Sequence, residues 1–378
     1  MKTNASTFRK LSGAFVLTLF IAACLVRMPV SASEKPSSDI TADLKQTESG
    51  VVTFACFGDN LIHMPITKYG MNTGSYDFLF EHVKDRIAMA DLAVINQETP
   101  FINDPKRYAG YPMFGSPAGI ADAIADAGFD IVTCATNHSL DQGLDGIRDT
   151  AAAFQKREDD LVYLGIHLTQ EDSDTIKYLD CNGIRFAFLN YTYGTNGIPV
   201  PKSAPWCVDL LSNKNRVVSQ LQEARKNADA VIVFAHWGTE YQYTPDSYQK
   251  TWTQTFLENG VDIVVGGHPH VIQPYEMLKS DNGHEMLVYY SLGNFVSCQN
   301  RRERLLGGLA MFTLHKTDTG TKVIAYTMAP TVTLQAYPLV TGYLLEDFTQ
   351  EIAARQVASL YASPAYYDDL FARIITGR

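Results

Sequence analysis

AVIVFAHWGTE (residues 230–240) and IVVGGHPHV (263–271) are the two stretches from which the rest of the chain can be read. Each opens on a short apolar run rich in β-branched residues, with no polar alternation. That is the pattern of a strand buried on both faces of a parallel sheet. Each run delivers imidazoles where it stops, His236 in the first and His268 and His270 in the second. The same arrangement recurs upstream. VVTFACF (51–57) runs into Gly58-Asp59-Asn60, Leu92–Ile95 into Asn96-Gln97-Glu98, and Ile131–Cys134 into Ala135-Thr136-Asn137-His138. In an open α/β sheet the carboxyl ends of parallel strands share one edge, and ligands bind there. Residues far apart in sequence are therefore expected to meet.

Helical spacing lies between these runs, over Tyr76–Ala90, Pro117–Ala127, Leu144–Arg157, Asn215–Asn227 and Tyr248–Asn259. Ile184–Leu189 reads as a further strand. From Val271 the pattern changes. Met286–Leu292, Leu309–Leu314 and Lys322–Met328 are β-rich without long helices between them, so antiparallel pairing is expected. Two helices are expected around Ser363-Pro364. The fold class is α/β with a mixed or second sheet. The expected division is a body over 51–335 and a C-terminal helical extension over 336–378.

The 378 residues carry 31 Lys and Arg against 41 Asp and Glu, a net charge of −10. The first 32 residues hold Lys2, Arg9, Lys10 and Arg27 and no acid, so the remainder stands at −14. Such a body makes a poor nucleic-acid binder, because counterion release needs a basic face. Lys2, Arg9 and Lys10 precede the 16-residue apolar run Leu11–Val26. The run is short for a membrane span but suits a targeting segment over 1–32. Val30-Ser31-Ala32 fits signal cleavage, Ile21-Ala22-Ala23-Cys24 resembles a lipoprotein lipobox, and an uncleaved anchor is the third reading. All three place the body outside the cytoplasm, attached to the membrane or secreted. The polar, aperiodic stretch over 33–50 reads as a flexible linker. Cys56, Cys134, Cys181, Cys207 and Cys298 form neither a disulfide framework nor a CxxC motif. Neither a Gly-x-Ser-x-Gly motif nor a P-loop is present.

The strand-end residues are carboxylates, an amide and imidazoles, a donor mixture that suits one or two divalent ions such as Mn, Zn or Fe. Taken singly, each has an ordinary reading. Asp59 could be a turn residue, Glu98 a loop residue, Asn137 and His138 a helix cap, and His236 a packed ring beside Trp237. Gly-His-Pro-His, with two imidazoles two apart at a strand end, has few structural reasons to exist. His82, His167, His284 and His315 fall outside the pattern; His63, four residues past Asp59, stays a candidate.

The order of these blocks resembles the CapA family of capsule or poly-γ-glutamate synthesis proteins, a branch of the calcineurin-like metallophosphoesterases. The resemblance covers about Thr53 to Asn300. It rests on Phe57-Gly58-Asp59, Asn96-Gln97-Glu98-Thr99-Pro100, Thr136-Asn137-His138-Ser139-Leu140-Asp141, His236-Trp237-Gly238-Thr239-Glu240-Tyr241, Gly267-His268-Pro269-His270 and Tyr290-Ser291-Leu292-Gly293-Asn294-Phe295. It implies a metallophosphoesterase-like sandwich of mixed β-sheets flanked by helices. It also implies Asp59 and His270 on one metal ion, His236, His268 and Asn137 on another, and Glu98 where relatives carry a bridging Asp. His138 corresponds to a histidine that contacts substrate and protonates a leaving group. Asp141, Glu240 and Asn294 are expected as partners of the ligand side chains. Two motifs depart from the wider pattern. Leu61 stands where Asp-x-His would place a histidine, and Gln97-Glu98 stands where Gly-Asp is usual. The implied activity is metal-dependent hydrolysis of an anionic cell-surface polymer or a phosphoester. The alternative is a non-catalytic component that holds polymer for the capsule synthesis machinery.

Overall fold

A computed structural model describes residues 49–377. The expected targeting segment over 1–32 lies outside the described residues, as does the linker up to residue 48. Gly50, the last residue of that expected linker, is tied into the body. Its N–H donates to the Asn182 carbonyl at 2.6 Å, and its own carbonyl accepts from the Lys316 N–H at 2.8 Å. No helix among the described residues is long and apolar enough to cross a membrane.

The strands are β1 (Val51–Asn60), β2 (Leu92–Gln97), β3 (Ile131–Thr133), β4 (Val162–Leu164), β5 (Lys177–Cys181), β6 (Ile184–Thr192), β7 (Ala230–His236), β8 (Ile263–Gly267), β9 (Tyr275–Lys279), β10 (Glu285–Tyr289), β11 (Asn294–Val296), β12 (Leu306–Thr317), β13 (Gly320–Ala336) and β14 (Leu339–Leu344). They build two mixed sheets. The first runs β14-β13-β12-β1-β2-β3-β4, with β11 beside the end of β1; the second runs β5-β6-β7-β8-β10-β9. Strands β1 to β4 are mutually parallel, as are β6, β7, β8 and β10.

Side-chain alternation along each strand sorts the core into layers. Val52, Phe54 and Cys56 of β1, with Leu92 and Val94 of β2, face Phe186, Phe188, Ile232 and Phe234 of the second sheet. The Phe54 ring meets Phe186 of the second sheet edge-on at 5.2 Å, which joins the sheets at their centre, and it stacks at 4.8 Å on Phe312, its cross-strand neighbour in the first sheet. The alternate residues Ala55, Phe57, Ala93 and Ile95 turn outward onto Ile120, Ile124, Ile147 and Phe154, from helices Gly119–Ala127 and Gly143–Gln155. On the far side, Leu189, Val231, Val233 and Val264 pack against Val217, Leu221, Trp252 and Phe256 of helices Lys214–Asn227 and Ser247–Glu258. The result is a sandwich of mixed sheets with helices on both outer faces, as the resemblance implies, and it is of the α/β class that the strand–helix alternation predicts. Cys56 and Cys134 are buried in it, and burial pushes both thiols well above their ordinary range, so they serve as inert packing.

Three expectations change. Tyr76–Ala90 is not one helix but a turn of 3₁₀ at Asp77–Leu79 and a short helix at Lys84–Ala88. Phe80, Val83 and Ile87 are buried as their spacing predicts. Leu79 is buried beside them, and the Phe80 ring packs on Phe295 at 5.7 Å and on Phe129 at 5.4 Å. β10 was expected to pair antiparallel. It does so with β9, but it inserts between β9 and β8 and runs parallel to β8. The body also continues past residue 335, because β14 pairs antiparallel with β13. The helices that follow are Gln350–Ala353 and Pro364–Thr376.

Away from the strand ends, His167 is buried in a cluster of charge. Its Nε2 is 2.7 Å from Asp209 Oδ2, and its Nδ1 is 3.6 Å from Asp172 Oδ2, an ion-pair distance too long for a hydrogen bond. Lys177 reaches Asp172 at 3.1 Å and Arg216 reaches Asp209 at 3.8 Å. Burial pulls the His167 imidazole down, but the two carboxylates outweigh it and hold it at about 9. A pKa raised above the ordinary value of 6.5 contributes stability that is fully present below pH 6.5 and is lost as pH rises through about 9. The stabilisation is on the order of 3 kcal/mol. Thermal melts of the wild type and His167→Gln should therefore differ most near pH 6 and converge by about pH 10. A gap that stays constant over that range would show that the cluster is not coupled to the His167 proton.

Candidate metal centre

All six expected ligand residues sit at the carboxyl ends of parallel strands, where the edges of the two sheets meet. Asp59 is the penultimate residue of β1, Glu98 follows β2, Asn137 follows β3, His236 ends β7, and His268 and His270 follow β8. All six are buried. Two glycines make this crowding possible. A Cβ on Gly58 would stand 2.1 Å from the Gly293 carbonyl oxygen, and one on Gly267 would stand 2.6 Å from Asp59 Oδ1. The turn after β8 is strained. His268 has φ 97° and His270 φ 57°, left-handed conformations that cost a non-glycine residue about 1–3 kcal/mol. Local bonds hold them. The His268 N–H donates to Asp59 Oδ2 at 3.2 Å, and His270 Nδ1 lies 3.0 Å from Asn294 Oδ1.

The side chains converge into two donor groups. Asp59, Glu98 and His270 form one, and Glu98, His236 and His268 form the other, with the donor atoms of each group within 4.8 Å of one another. Glu98 belongs to both. Its Oε1 lies 3.6 Å from His236 Nε2 and 3.7 Å from His270 Nε2. These are spacings suited to ligands of a shared ion bonded at ~2.0–2.2 Å. Asn137 joins the second group, its Oδ1 2.9 Å from His236 Nε2. Asp59 is held by a relay in which Thr133 Oγ1 donates to Asn96 Oδ1 at 2.8 Å and Asn96 Nδ2 donates to Asp59 Oδ1 at 2.7 Å.

The electrostatics call for a cation. Both carboxylate oxygens of Glu98 are buried with no hydrogen-bond partner among the described residues. An unpaired buried polar atom costs about 1–3 kcal/mol, and more when charged. Burial pushes the Glu98 carboxyl well above the usual range; His270 opposes that shift and Asp59 adds to it. Burial pulls His270 down, but Glu98 and Asp59 outweigh it and hold it at about 9. Burial, then the neighbouring imidazoles, pull His236 and His268 well below the usual range, leaving them neutral with a lone pair to offer. A divalent ion fits this donor set. It would give the Glu98 carboxylate the partner it lacks, and its binding needs the carboxylates ionised and the imidazoles neutral.

His138 stands outside both donor groups and is buried. Its Nδ1 is 2.7 Å from Asp141 Oδ2, which also accepts the Phe114 N–H at 2.7 Å. Asp141 thus orients His138 and not a ligand imidazole as expected. Asn294 does touch a ligand imidazole, that of His270. Glu240 does not. The turn at Gly238, with φ 93°, carries the chain outward and leaves the Glu240 carboxylate exposed, with no hydrogen bond to any imidazole. His63 is in neither group; its ring packs edge-on at 5.3 Å against Phe114, and the Phe114 ring packs at 4.8 Å against His138.

Several residues at the centre were not assigned from sequence. Asn190 of β6 accepts the N–H groups of Cys134 at 3.0 Å and Ala135 at 2.7 Å, so the second sheet holds the loop that presents Asn137 and His138. Asn196 accepts from Asn137 Nδ2 at 3.1 Å, and its own Nδ2 is 3.3 Å from His138 Nδ1. The Tyr193 ring lies 4.6 Å from His268. Strand β6 is followed by Tyr193-Gly194-Thr195-Asn196-Gly197, so the rule that polar residues gather after buried strands, applied once more, finds Tyr193 and Asn196.

Residues 53–299 match the family described as bacterial capsule synthesis protein PGA_cap. The chain is similar to a capsule biosynthesis protein CapA of Bacillus anthracis, 29% identical over 304 residues that span 78% of this chain and 71% of the relative. It is also similar to a PGA biosynthesis protein CapA of Bacillus subtilis (strain 168), 29% identical over 284 residues, or 74% of this chain and 72% of the relative. Among solved structures, a novel phosphatase of Mycoplasma pneumoniae aligns with a TM-score of 0.45 at 17% identity, covering 75% of this chain and 94% of that one.

The shared position of Glu98 sets the metal stoichiometry to expect. Glu98→Ala should lose metal from both groups, whereas His268→Ala should lose it from one. Asn294→Ala should keep the stoichiometry with affinity lowered about 10–100-fold. Mass-spectrometric metal content and titration of the purified proteins check this, and wild-type metal content in Glu98→Ala would refute the shared site.

Proposed function

The chain belongs to the bacterial capsule synthesis protein family PGA_cap, and on that premise we propose that it is a divalent-metal-dependent hydrolase of an anionic capsule polymer or a phosphoester. The observation that carries this reading is Glu98, buried, unpartnered and common to two donor groups. Asp59, Glu98 and His270 would hold one ion, and Glu98, His236, His268 and Asn137 the other. Bound divalent ions supply positive charge to the anionic centre under attack and lower the pKa of bound water toward neutrality.

The residues of the chain then have distinct tasks. Asn294 and Asn96 fix the rotamers of His270 and Asp59. Asp141, as an acceptor at Nδ1, keeps the His138 proton on that nitrogen and leaves Nε2 to exchange a proton with the leaving group. The strained turn at His268 and His270 and the surrounding buried side chains hold the donors in place before substrate arrives.

The N-terminal basic residues and the apolar run Leu11–Val26 support an extracytoplasmic location, membrane-attached or secreted, where a capsule polymer and its synthesis machinery would be met. A second reading, a protein that holds polymer without cleaving it, draws on Leu61. This buried leucine stands where the wider pattern places a histidine, so the first donor group has three members without it.

His138 separates the two readings. His138→Ala should keep wild-type metal content while turnover falls about 10²–10⁴-fold. Assays of the metal-loaded full chain on a generic phosphodiester and on poly-γ-glutamate check this. Full turnover in metallated His138→Ala would remove His138 from the mechanism, and a wild type inert on both substrates would favour the holding role.

A further inference from the structure

Arg304 lies just beyond the matched family region, in the turn Arg302–Leu305 that leads into β12. It is coupled to the metal centre in two ways. Asn294, whose Oδ1 meets His270 Nδ1 at 3.0 Å, donates from Nδ2 to the Arg304 carbonyl at 3.0 Å. The Arg304 guanidinium lies over the Tyr241 ring, 3.4 Å from its centroid, and that ring is 6.1 Å from His270.

The guanidinium is also idle. Among the described residues, other half-buried arginines are paired: Arg216 with Asp174 at 2.6 Å and Arg225 with Asp262 at 2.7 Å. Arg304 has no carboxylate partner and donates no side-chain hydrogen bond there. The adjacent acid, Glu303, is turned to the Tyr366 hydroxyl at 3.1 Å, and Arg302 lies over the Tyr366 ring at 5.8 Å. A planar fork of donors, fixed by stacking and left unpaired beside a candidate metal centre, matches the geometry of a carboxylate or phosphate. In a chain of net charge −10, an unpaired cation at this spot has no other described partner.

We propose that Arg304 is the anion-recognition residue of the centre. Its guanidinium binds an oxyanion that the substrate carries beside the bond presented to the metal-ligand groups, and so selects acidic substrates over neutral ones. Tyr241 is its platform, and Asn294 sets its distance from His270. This rests on the reading that an anionic polymer or phosphoester is processed or held at the centre.

The test titrates the full chain calorimetrically with three probes: inorganic phosphate, an oligo-γ-glutamate, and the same oligomer with its free carboxylates amidated. Wild-type protein should bind phosphate or the acidic oligomer, which distinguishes the two oxyanion sources, and should bind the amidated oligomer at least tenfold more weakly. Arg304→Gln should weaken the acidic probe about 10–100-fold with metal content unchanged, and Arg304→Lys should recover part of that loss. Tyr241→Leu, which keeps the charge and removes the platform, should weaken it severalfold; it carries the test with Arg304→Lys should Arg304→Gln fail to fold. Equal affinity of wild type and Arg304→Gln for the anion that binds, an acidic oligomer that binds no more tightly than its amidated form does, or no binding of either anion overturns the proposal; binding of phosphate with neither oligomer assigns the oxyanion to a phosphoester. Wild-type protein that takes up no metal overturns the hydrolase reading and leaves the anion result to stand or fall by itself.

Discussion

A carboxylate with both oxygens sealed from water and no hydrogen bond to either cannot carry its charge alone. Glu98 is in that position. It stays protonated, or it is neutralised by cations, and the four groups around it decide which. His236 and His268 are neutral by burial, and Asp59 and His270 stand on the other side. Apolar surroundings raise the free energy of every unshared charge there. A divalent ion in each donor group would remove the penalty for all of them at once. The centre is organised around one residue that both groups need.

The sandwich exists to make that residue shareable. Neither sheet could build the centre from its own strands. β1, β2 and β3 bring Asp59, Glu98 and Asn137, while β7 and β8 bring His236, His268 and His270. The contact of Phe54 with Phe186, backed by Phe312 of the first sheet, holds the sheets together in mid-core. Asn190 ties them again near the edge, from one sheet to the loop of the other. The glycines at 58 and 267 then allow backbone and carboxylate to approach more closely than any side chain would permit.

Much of this is legible in the order of residues. Short apolar runs without polar alternation identify strands buried on both faces, and the polar residue that ends each run marks the edge where ligands gather. That local rule finds Asp59, Glu98, Asn137, His138, His236, His268 and His270, because strand length and burial are written in adjacent residues. It also identifies the α/β class and the antiparallel pairing of β12 and β13. It misplaces β10, because the choice of neighbour between β8 and β9 is a matter of sheet order and not of local pattern.

What the tertiary structure alone decides is which side chains share a partner. Glu98 lies 38 positions from Asn60 and more than a hundred from His236, and only the stacking of two sheets puts its carboxylate between two imidazoles. Asp141 turns to His138, Asn294 to His270, and Glu240 to solvent, although all three are polar residues in similar motif positions. Arg304 belongs to a basic turn with no motif around it and meets the centre through Tyr241. Periodicity encodes which face of an element is buried. It carries no information about which distant element covers that face, because that depends on how strands order themselves and how the two sheets align. The identities of the donors were therefore determined by the sequence, and their partnerships by the fold.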